Sequence, residues 1–122
     1  MMGFSSDIKK AREAMLKEAD EYRKAVTISL FSSVIKDTPI DTGRLAGNWQ
    51  TNEGDKKTNE IDRLDPNRAE AIKEAQDVVS KSETETTIHL TNNLPYSLPI
   101  ENRFAMVARN MARIEQILRS RK

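Results

Sequence analysis

The residues SSDIKKAREAMLKEADEYRKAVTISLFSSVIKDTP, numbered 5–39, carry the strongest structural pattern in the chain. Apolar side chains recur there at steps of three or four residues, as one face of an α-helix requires. They are Ile8, Ala11, Met15, Ala19, Tyr22, Val26, Leu30 and Val34. Ser5, Ser6 and Asp7 can cap the start of this helix, and Pro39 predicts its end because the residue before a proline avoids the α region. About 30 residues at 1.5 Å each extend over about 45 Å, so we expect the helix to cross the domain or to project from it.

Two strands and a loop are predicted after this helix. Leu45 to Thr51 predicts a first strand, in which Trp49 is expected to anchor the core. Residues 52–65 are polar and are expected to form a mobile loop. From Glu83 to Thr91 the side chains alternate between two faces, which is typical of a second strand. Thr84, Thr86, Ile88 and Leu90 lie on one face, and Glu85, Thr87, His89 and Thr91 lie on the other.

Two further helices are predicted. The second helix begins at Asp65-Pro66, with aspartate as the N-cap and proline at the first helical position. Its inward face comprises Ala69, Ile72, Ala75 or Gln76, and Val79. Residues 103–122 predict a basic C-terminal helix, with Arg109 and Arg113 on the side opposite its apolar residues. Those apolar residues are Phe104, Val107, Met111, Ile114 and Leu118.

The chain of 122 residues has a suitable length for one domain. The order of its elements predicts a single α+β domain over residues 1–122. In this fold class a long N-terminal helix packs on a small, mostly antiparallel β-sheet, with a second helix and a C-terminal helix.

Composition excludes several classes of protein. The chain has no cysteine, which excludes disulfides, zinc-thiolate sites, iron–sulfur clusters and thiol nucleophiles. Its longest apolar-leaning stretch, Ala25 to Phe31, is too short to span a membrane, and the N-terminus lacks the pattern of a signal peptide. We therefore expect a protein that is soluble and cytoplasmic at synthesis, with no membrane partner.

The charges are segregated along the chain although the formal net charge is only +1. Residues 53–85 carry ten acidic and six basic side chains, a net of −4, whereas residues 103–122 carry six basic side chains and one acidic, a net of +5. This pattern is consistent with attraction between segments of one fold, or with a charged face for another subunit or for nucleic acid.

Catalytic patterns are weak. Asp41-Thr42-Gly43 matches the catalytic tripeptide of aspartic proteases, but a helix and Pro39 precede it, so a turn is the better interpretation. His89 is the only histidine and has no metal-ligand spacing around it. We therefore expect a protein that is not an enzyme and that has no catalytic residues, no metal and no cofactor.

Two segments together carry a family resemblance. The first, TPIDTGRLAGNW at residues 38–49, follows the long helix, and the second, IHLTNNLPYSLPIEN, covers residues 88–102. They resemble the tail-component family of tailed bacteriophages, whose pattern is T-P-x-D-T-G-x-L-x-x-x-W and then a strand ending in T-N-N-x-P-Y-x-x-x-x-E-N-G. Arg103 replaces the final glycine of that pattern. The matching positions are Pro39, Asp41, Thr42, Gly43, Leu45, Trp49, Asn92, Asn93, Pro95, Tyr96, Glu101 and Asn102.

This resemblance implies a structural virion protein that completes the tail or neck and helps to join the tail to the head connector. The implied partners are other copies in a six-fold-related ring, and phage tail-tube, terminator or head-connector proteins. DNA passing through the channel is a further implied partner. The implied locations are the tail or neck of the virion, and the host cytoplasm during assembly. In structural terms, Asp41 and Gly43 would form the corner between helix and sheet, and Leu45 and Trp49 would hold it to the core.

Two alternatives remain open at this point. The first is a DNA-contacting protein whose basic C-terminal helix faces DNA in the neck channel; the same basic side chains could instead contact another subunit. The second is a tail terminator or a head–tail connector subunit. The basic side chains concerned are Arg109, Arg113, Arg119, Arg121 and Lys122.

Overall fold

The computed structural model describes residues 4–120 of the chain, with side chains from residue 6 onward. The predicted α+β class is confirmed: helices surround a two-stranded antiparallel sheet. The Ser5 side chain, Arg121 and Lys122 lie outside the described residues. The elements in chain order are α1 (Phe4–Lys36), α2 (Arg44–Gly47), β1 (Trp49–Glu53), α3 (Ala69–Ser80), β2 (Ile88–Asn92), α4 (Ser97–Phe104) and α5 (Met106–Ser120).

Only the second half of α1 packs on the rest of the protein. The helix ends at Lys36, shortly before Pro39, as predicted. Residues 6–19 are all exposed, so the first half of the predicted apolar stripe is not part of the core. The buried side chains near the end of α1 include Phe31, Val34 and Ile35, and the helix therefore projects from the domain.

Both strands begin later than predicted and end slightly later, β1 at Glu53 rather than Thr51 and β2 at Asn92 rather than Thr91. Its two strands pair in antiparallel register from Trp49 opposite Asn92 to Glu53 opposite Ile88. The prediction that β1 begins at Leu45 is wrong because the chain first makes the single helical turn α2. The prediction that β2 begins at Glu83 is also wrong, since Glu85 has a φ of 69°, which no extended strand accommodates.

Helix α3 begins later than predicted. Arg68 has a φ of 63°, so regular helix starts at Ala69 rather than at Asp65-Pro66. Asp65 still caps the helix, because its carboxylate accepts a hydrogen bond of 2.8 Å from the Ala71 N–H. The buried face consists of Ala71, Ala75 and Val79, whereas the predicted Ala69 and the alternative Gln76 are exposed.

The predicted C-terminal helix begins at Met106 rather than at residue 103, and a separate helix, α4, precedes it. Ala105 has a φ of 52° and separates α4 from α5. The Glu101 carboxylate then accepts hydrogen bonds of 2.9 and 3.1 Å from the N–H groups of Val107 and Ala108. A carboxylate in this position satisfies donors of the first turn of α5, so the break is stabilised by a motif residue.

The inward face of α5 differs from the predicted one. Its buried side chains are Met106, Asn110 and Ile114, and Val107 packs against the core. Of the five apolar residues predicted to face inward, Phe104, Met111 and Leu118 are exposed. Val107 and Ile114 therefore lie on the packing face as predicted, and Met106 and Asn110 are buried beside them in place of Met111.

Trp49 lies at the centre of the core, as predicted. It is 6% exposed, and its Nε1–H donates a hydrogen bond of 2.8 Å to Thr38 Oγ1. The core joins residues of α1, β1, α3 and α5. Its buried members are Phe31, Val34, Ile35, Trp49, Ala71, Ala75, Val79 and Met106.

Candidate functional site

The Asp41-Thr42-Gly43 tripeptide forms a tight corner between α1 and the sheet. Gly43 has a φ of 87°, and its carbonyl accepts hydrogen bonds of 2.9 Å from the N–H groups of both Gly47 and Asp65. A Cβ on Gly43 would overlap the Pro66 nitrogen and lie 2.8 Å from the Asp65 carbonyl carbon. Only glycine fits this position, which agrees with the interpretation of the tripeptide as a turn.

The second motif segment is joined to this corner through Asn92. Its Nδ2 donates a hydrogen bond of 2.8 Å to the Leu45 carbonyl, and its Oδ1 accepts one of 3.3 Å from the Leu94 N–H. Asn92 is also the strand partner of Trp49. Motif positions that are more than 40 residues apart in the chain are therefore in direct contact.

The loop after β1 is attached to the same corner. Asn48 is fully buried, and its Oδ1 accepts a hydrogen bond of 2.8 Å from the Ile61 N–H. Arg63 donates hydrogen bonds of 2.7 Å to the carbonyls of Gly47 and Trp49. Asn93 donates to carbonyls of the same loop at 3.0 and 3.3 Å. The mobility of residues 52–65 stays a prediction, and these contacts connect its second half to the sheet.

A groove of about 280 Å³ separates the corner from α4. Its walls come from both motif segments: residues 39–45 form one side, and Tyr96 and Ile100 form the other. Asp41 and Arg44 are exposed at its edge, and the Tyr96 side chain is 42% exposed. An open groove that combines an aromatic ring with both signs of charge is chemically suited to contact with another protein surface.

Other motif residues lie outside this groove. Glu101 caps α5, as described above, and Pro95 and Asn102 are exposed. Trp49 is buried beneath the corner, whereas Leu45, also largely buried, belongs to the wall of the groove. Among the described residues, no group of three or more histidine, cysteine, aspartate or glutamate side chains could hold a metal ion.

The described arginines of α5 contact the protein itself. Arg109 forms an ion pair of 3.1 Å with Asp37, which also accepts a hydrogen bond of 2.8 Å from buried Asn110. Arg113 donates to Ser33 Oγ at 2.8 Å. The prediction that Arg109 and Arg113 lie opposite the packing face is therefore wrong, since both reach α1.

Sequence reasoning missed Asn110. Its position four residues from both Met106 and Ile114 is the one signal that could have identified it as part of the buried stripe. Arg119, near the end of α5, pairs with Glu115 of the same helix.

Glu53, at the end of β1, holds the turn that precedes β2. Its carboxylate accepts hydrogen bonds of 2.6 Å from the Thr86 hydroxyl and 2.7 Å from the Glu83 N–H. These hydrogen bonds lower the pKa of Glu53 below its usual range. The polar face of β2 includes His89, which contacts the Gly54 carbonyl at 2.9 Å.

Comparisons with protein-family models, with curated proteins and with solved structures found no match to this chain. The resemblance of the two motif segments to phage tail components therefore stays a prediction. Within residues 4–120, every helix is too short or too polar to cross a lipid bilayer.

Proposed function

We propose that this protein is a structural subunit of a tailed-phage neck or tail. In this role its copies assemble into a ring, and the ring helps to join the tail to the head connector. The observation that supports the proposal is the groove between the corner and α4. The two segments that carry the family resemblance both line this groove.

The floor of the groove is held by hydrogen bonds and its edge is accessible. Gly43 is held by two backbone hydrogen bonds, and Asn92 joins the second segment to Leu45. A preorganised backbone limits the entropy lost when a partner binds. Tyr96, Ile100 and Phe104 follow at steps of four along α4, so one side of that helix continues the apolar surface beyond the groove.

The segregated charges suit contacts between unlike faces. The acidic residues of segment 53–85 and the basic residues of segment 103–122 lie on different elements. Subunits in a ring use one face against a different face of the neighbour, and opposite charges on the two faces favour that arrangement. We expect the association to weaken as salt rises, because exposed charges are screened.

The contacts of Arg109 and Arg113 support a role within the chain. Both side chains bind α1, where they hold α5 in position. This arrangement favours assembly through the groove over the DNA-contacting alternative as the primary role.

The proposal is tested by producing the full chain together with the products of its flanking genes. Light scattering at low salt is expected to detect a complex with a tail or connector protein. Replacing Tyr96 with serine is expected to weaken that complex, whereas Leu64→Ser, at a comparably exposed apolar position outside the groove, is expected to leave it unchanged. Absence of any complex with every flanking product, or equal loss in the two variants, would contradict the proposal.

A further inference from the structure

The projecting half of α1 carries an apolar ridge on one side. Ile8 is 64% exposed and Met15 is 70% exposed, although both follow the spacing of a packed helix. With 3.6 residues per turn, the ridge side chains lie within about 40° of Met15 around the helix. The ridge consists of Ile8, Ala11, Met15, Ala19 and Tyr22.

Helix α5 covers the continuation of this ridge. Ser33 is five turns beyond Met15 and so lies on the same side of α1. Arg113 contacts Ser33 and Arg109 contacts Asp37, which shows that α5 runs antiparallel to α1 along that side. At 1.5 Å per residue, Ser120 is about level with Val26. Beyond that level Tyr22 is half-buried, and the ridge is exposed from Ala19 to Ile8.

The charged residues beside the ridge lie at equal distances on the two sides of Met15, with opposite signs. Residues 8–12 carry three basic and no acidic side chains, whereas residues 18–22 carry three acidic and no basic ones. From residue 7 to residue 23, every charged side chain has an opposite charge at the same distance on the other side of Met15, and every apolar one has an apolar counterpart. The charged pairs are Asp7 with Arg23, Lys9 with Glu21, Lys10 with Asp20, Arg12 with Glu18, and Glu13 with Lys17.

We propose that two copies of this chain pair through their projecting α1 segments, antiparallel and centred on Met15. In that arrangement the basic stretch 8–12 of each copy lies level with the acidic stretch 18–22 of the other. The axes of packed helices are about 8–10 Å apart, close to the Debye length at physiological salt and well within it at low salt, so we expect the attraction to act mainly at low salt. Because Asp20 is already paired with Arg23 and Lys24 of its own chain, the acidic side of the attraction comes mainly from Glu18 and Glu21. The ridge supplies the apolar contact.

A parallel pair is disfavoured for two reasons. It would place like-charged stretches side by side, because residues 8–12 of both copies would be level. It would also bring the second helix into the space that α5 occupies from about Val26 onward. An antiparallel partner instead extends beyond the N-terminal end of α1. This inference does not rest on the proposed function, because it concerns α1 and not the groove.

The first test is the mass of the full chain in solution, measured by sedimentation equilibrium. We expect a dimer at low salt that dissociates as salt rises. Met15→Glu is expected to give a monomer with unchanged helix content by circular dichroism, because the side chain is exposed. Leu64→Glu changes an exposed apolar residue away from α1 and is expected to leave the dimer intact. A wild-type monomer, or a Met15→Glu dimer of unchanged strength, would overturn the proposal.

The second test determines the orientation of the helices. Because the chain has no cysteine, each introduced thiol is the sole one in its variant. With a short bis-maleimide, a mixture of Ala11→Cys and Ala19→Cys chains is expected to cross-link, while Ala11→Cys alone is expected to remain largely uncoupled. Efficient cross-linking of Ala11→Cys with itself would indicate a parallel pair and would refute the antiparallel one.

Discussion

Replacement of Thr38 by valine tests the contact that joins the end of α1 to the core. Thr38 is fully buried, accepts a hydrogen bond from Trp49 Nε1 and donates one of 2.9 Å to the Val34 carbonyl. Valine keeps the shape but leaves the buried indole N–H without this acceptor, which costs about 1–3 kcal/mol. Valine also loses the hydrogen bond to the Val34 carbonyl, which costs about 1 kcal/mol more. We therefore expect the free energy of unfolding to fall by about 2–4 kcal/mol in total.

Urea denaturation followed by tryptophan fluorescence measures this loss directly, since Trp49 is the only tryptophan. Thr38→Ser keeps the hydroxyl and removes one buried methyl group, so it is expected to cost only about 1 kcal/mol. Thr58→Val, at an exposed position, is expected to change stability by less than about 0.5 kcal/mol. If the valine variant at residue 38 were as stable as the one at residue 58, the reasoning about this hydrogen bond would be refuted.

Two further predictions concern the corner and the turn before β2. Gly43→Ala is expected to cost more than about 3 kcal/mol, because a left-handed backbone and an overlap with Pro66 act together. Gly54→Ala, with a similar φ of 89° but open space around it, is expected to cost only about 1–2 kcal/mol, and equal losses in thermal unfolding would contradict this explanation. For Glu53, a lowered pKa in the folded state means that its stabilising effect is present at neutral pH and is lost as the pH falls from about 4.5 through the folded-state pKa. Glu53→Gln is therefore expected to flatten the acid limb of the stability profile, and an unchanged limb would argue against that role.

The boundary errors share a physical cause. Arg68, Glu85 and Ala105 all have positive φ although none is a glycine, and each lies where a predicted element begins late or is broken. Propensity places alanine in the middle of a helix, so no local signal predicts a break at Ala105. The break is stabilised by the Glu101 carboxylate, which binds the N–H groups that open α5. The first turn after Gly43 was missed for a related reason: a helix of four residues has no detectable periodicity.

The sequence predicted the two segments that line the groove but not the groove itself. The two motif segments can be identified separately, and the turn at Gly43 and the buried anchor Trp49 follow from residue type. Their contact depends on the register that places Trp49 opposite Asn92, and register is decided by pairing across the sheet. Tyr96 and Ile100 reach the corner because α4 follows β2 after a connection of only four residues, 93–96, and the sequence pattern did not predict α4.

The sequence by itself determined the long helix and its end at Lys36, the α+β class, the second helix and the position of Trp49 in the core. These features depend on periodicity, on proline and on large apolar side chains, which act over a few neighbouring residues. Only the tertiary structure decided which part of the α1 stripe is buried, since Ile8 and Val34 follow the same spacing and differ solely in whether another element reaches them. Burial depends on the position of α3 and α5 in space, and the same geometry leaves the ridge of α1 and the groove at Gly43 open to partners.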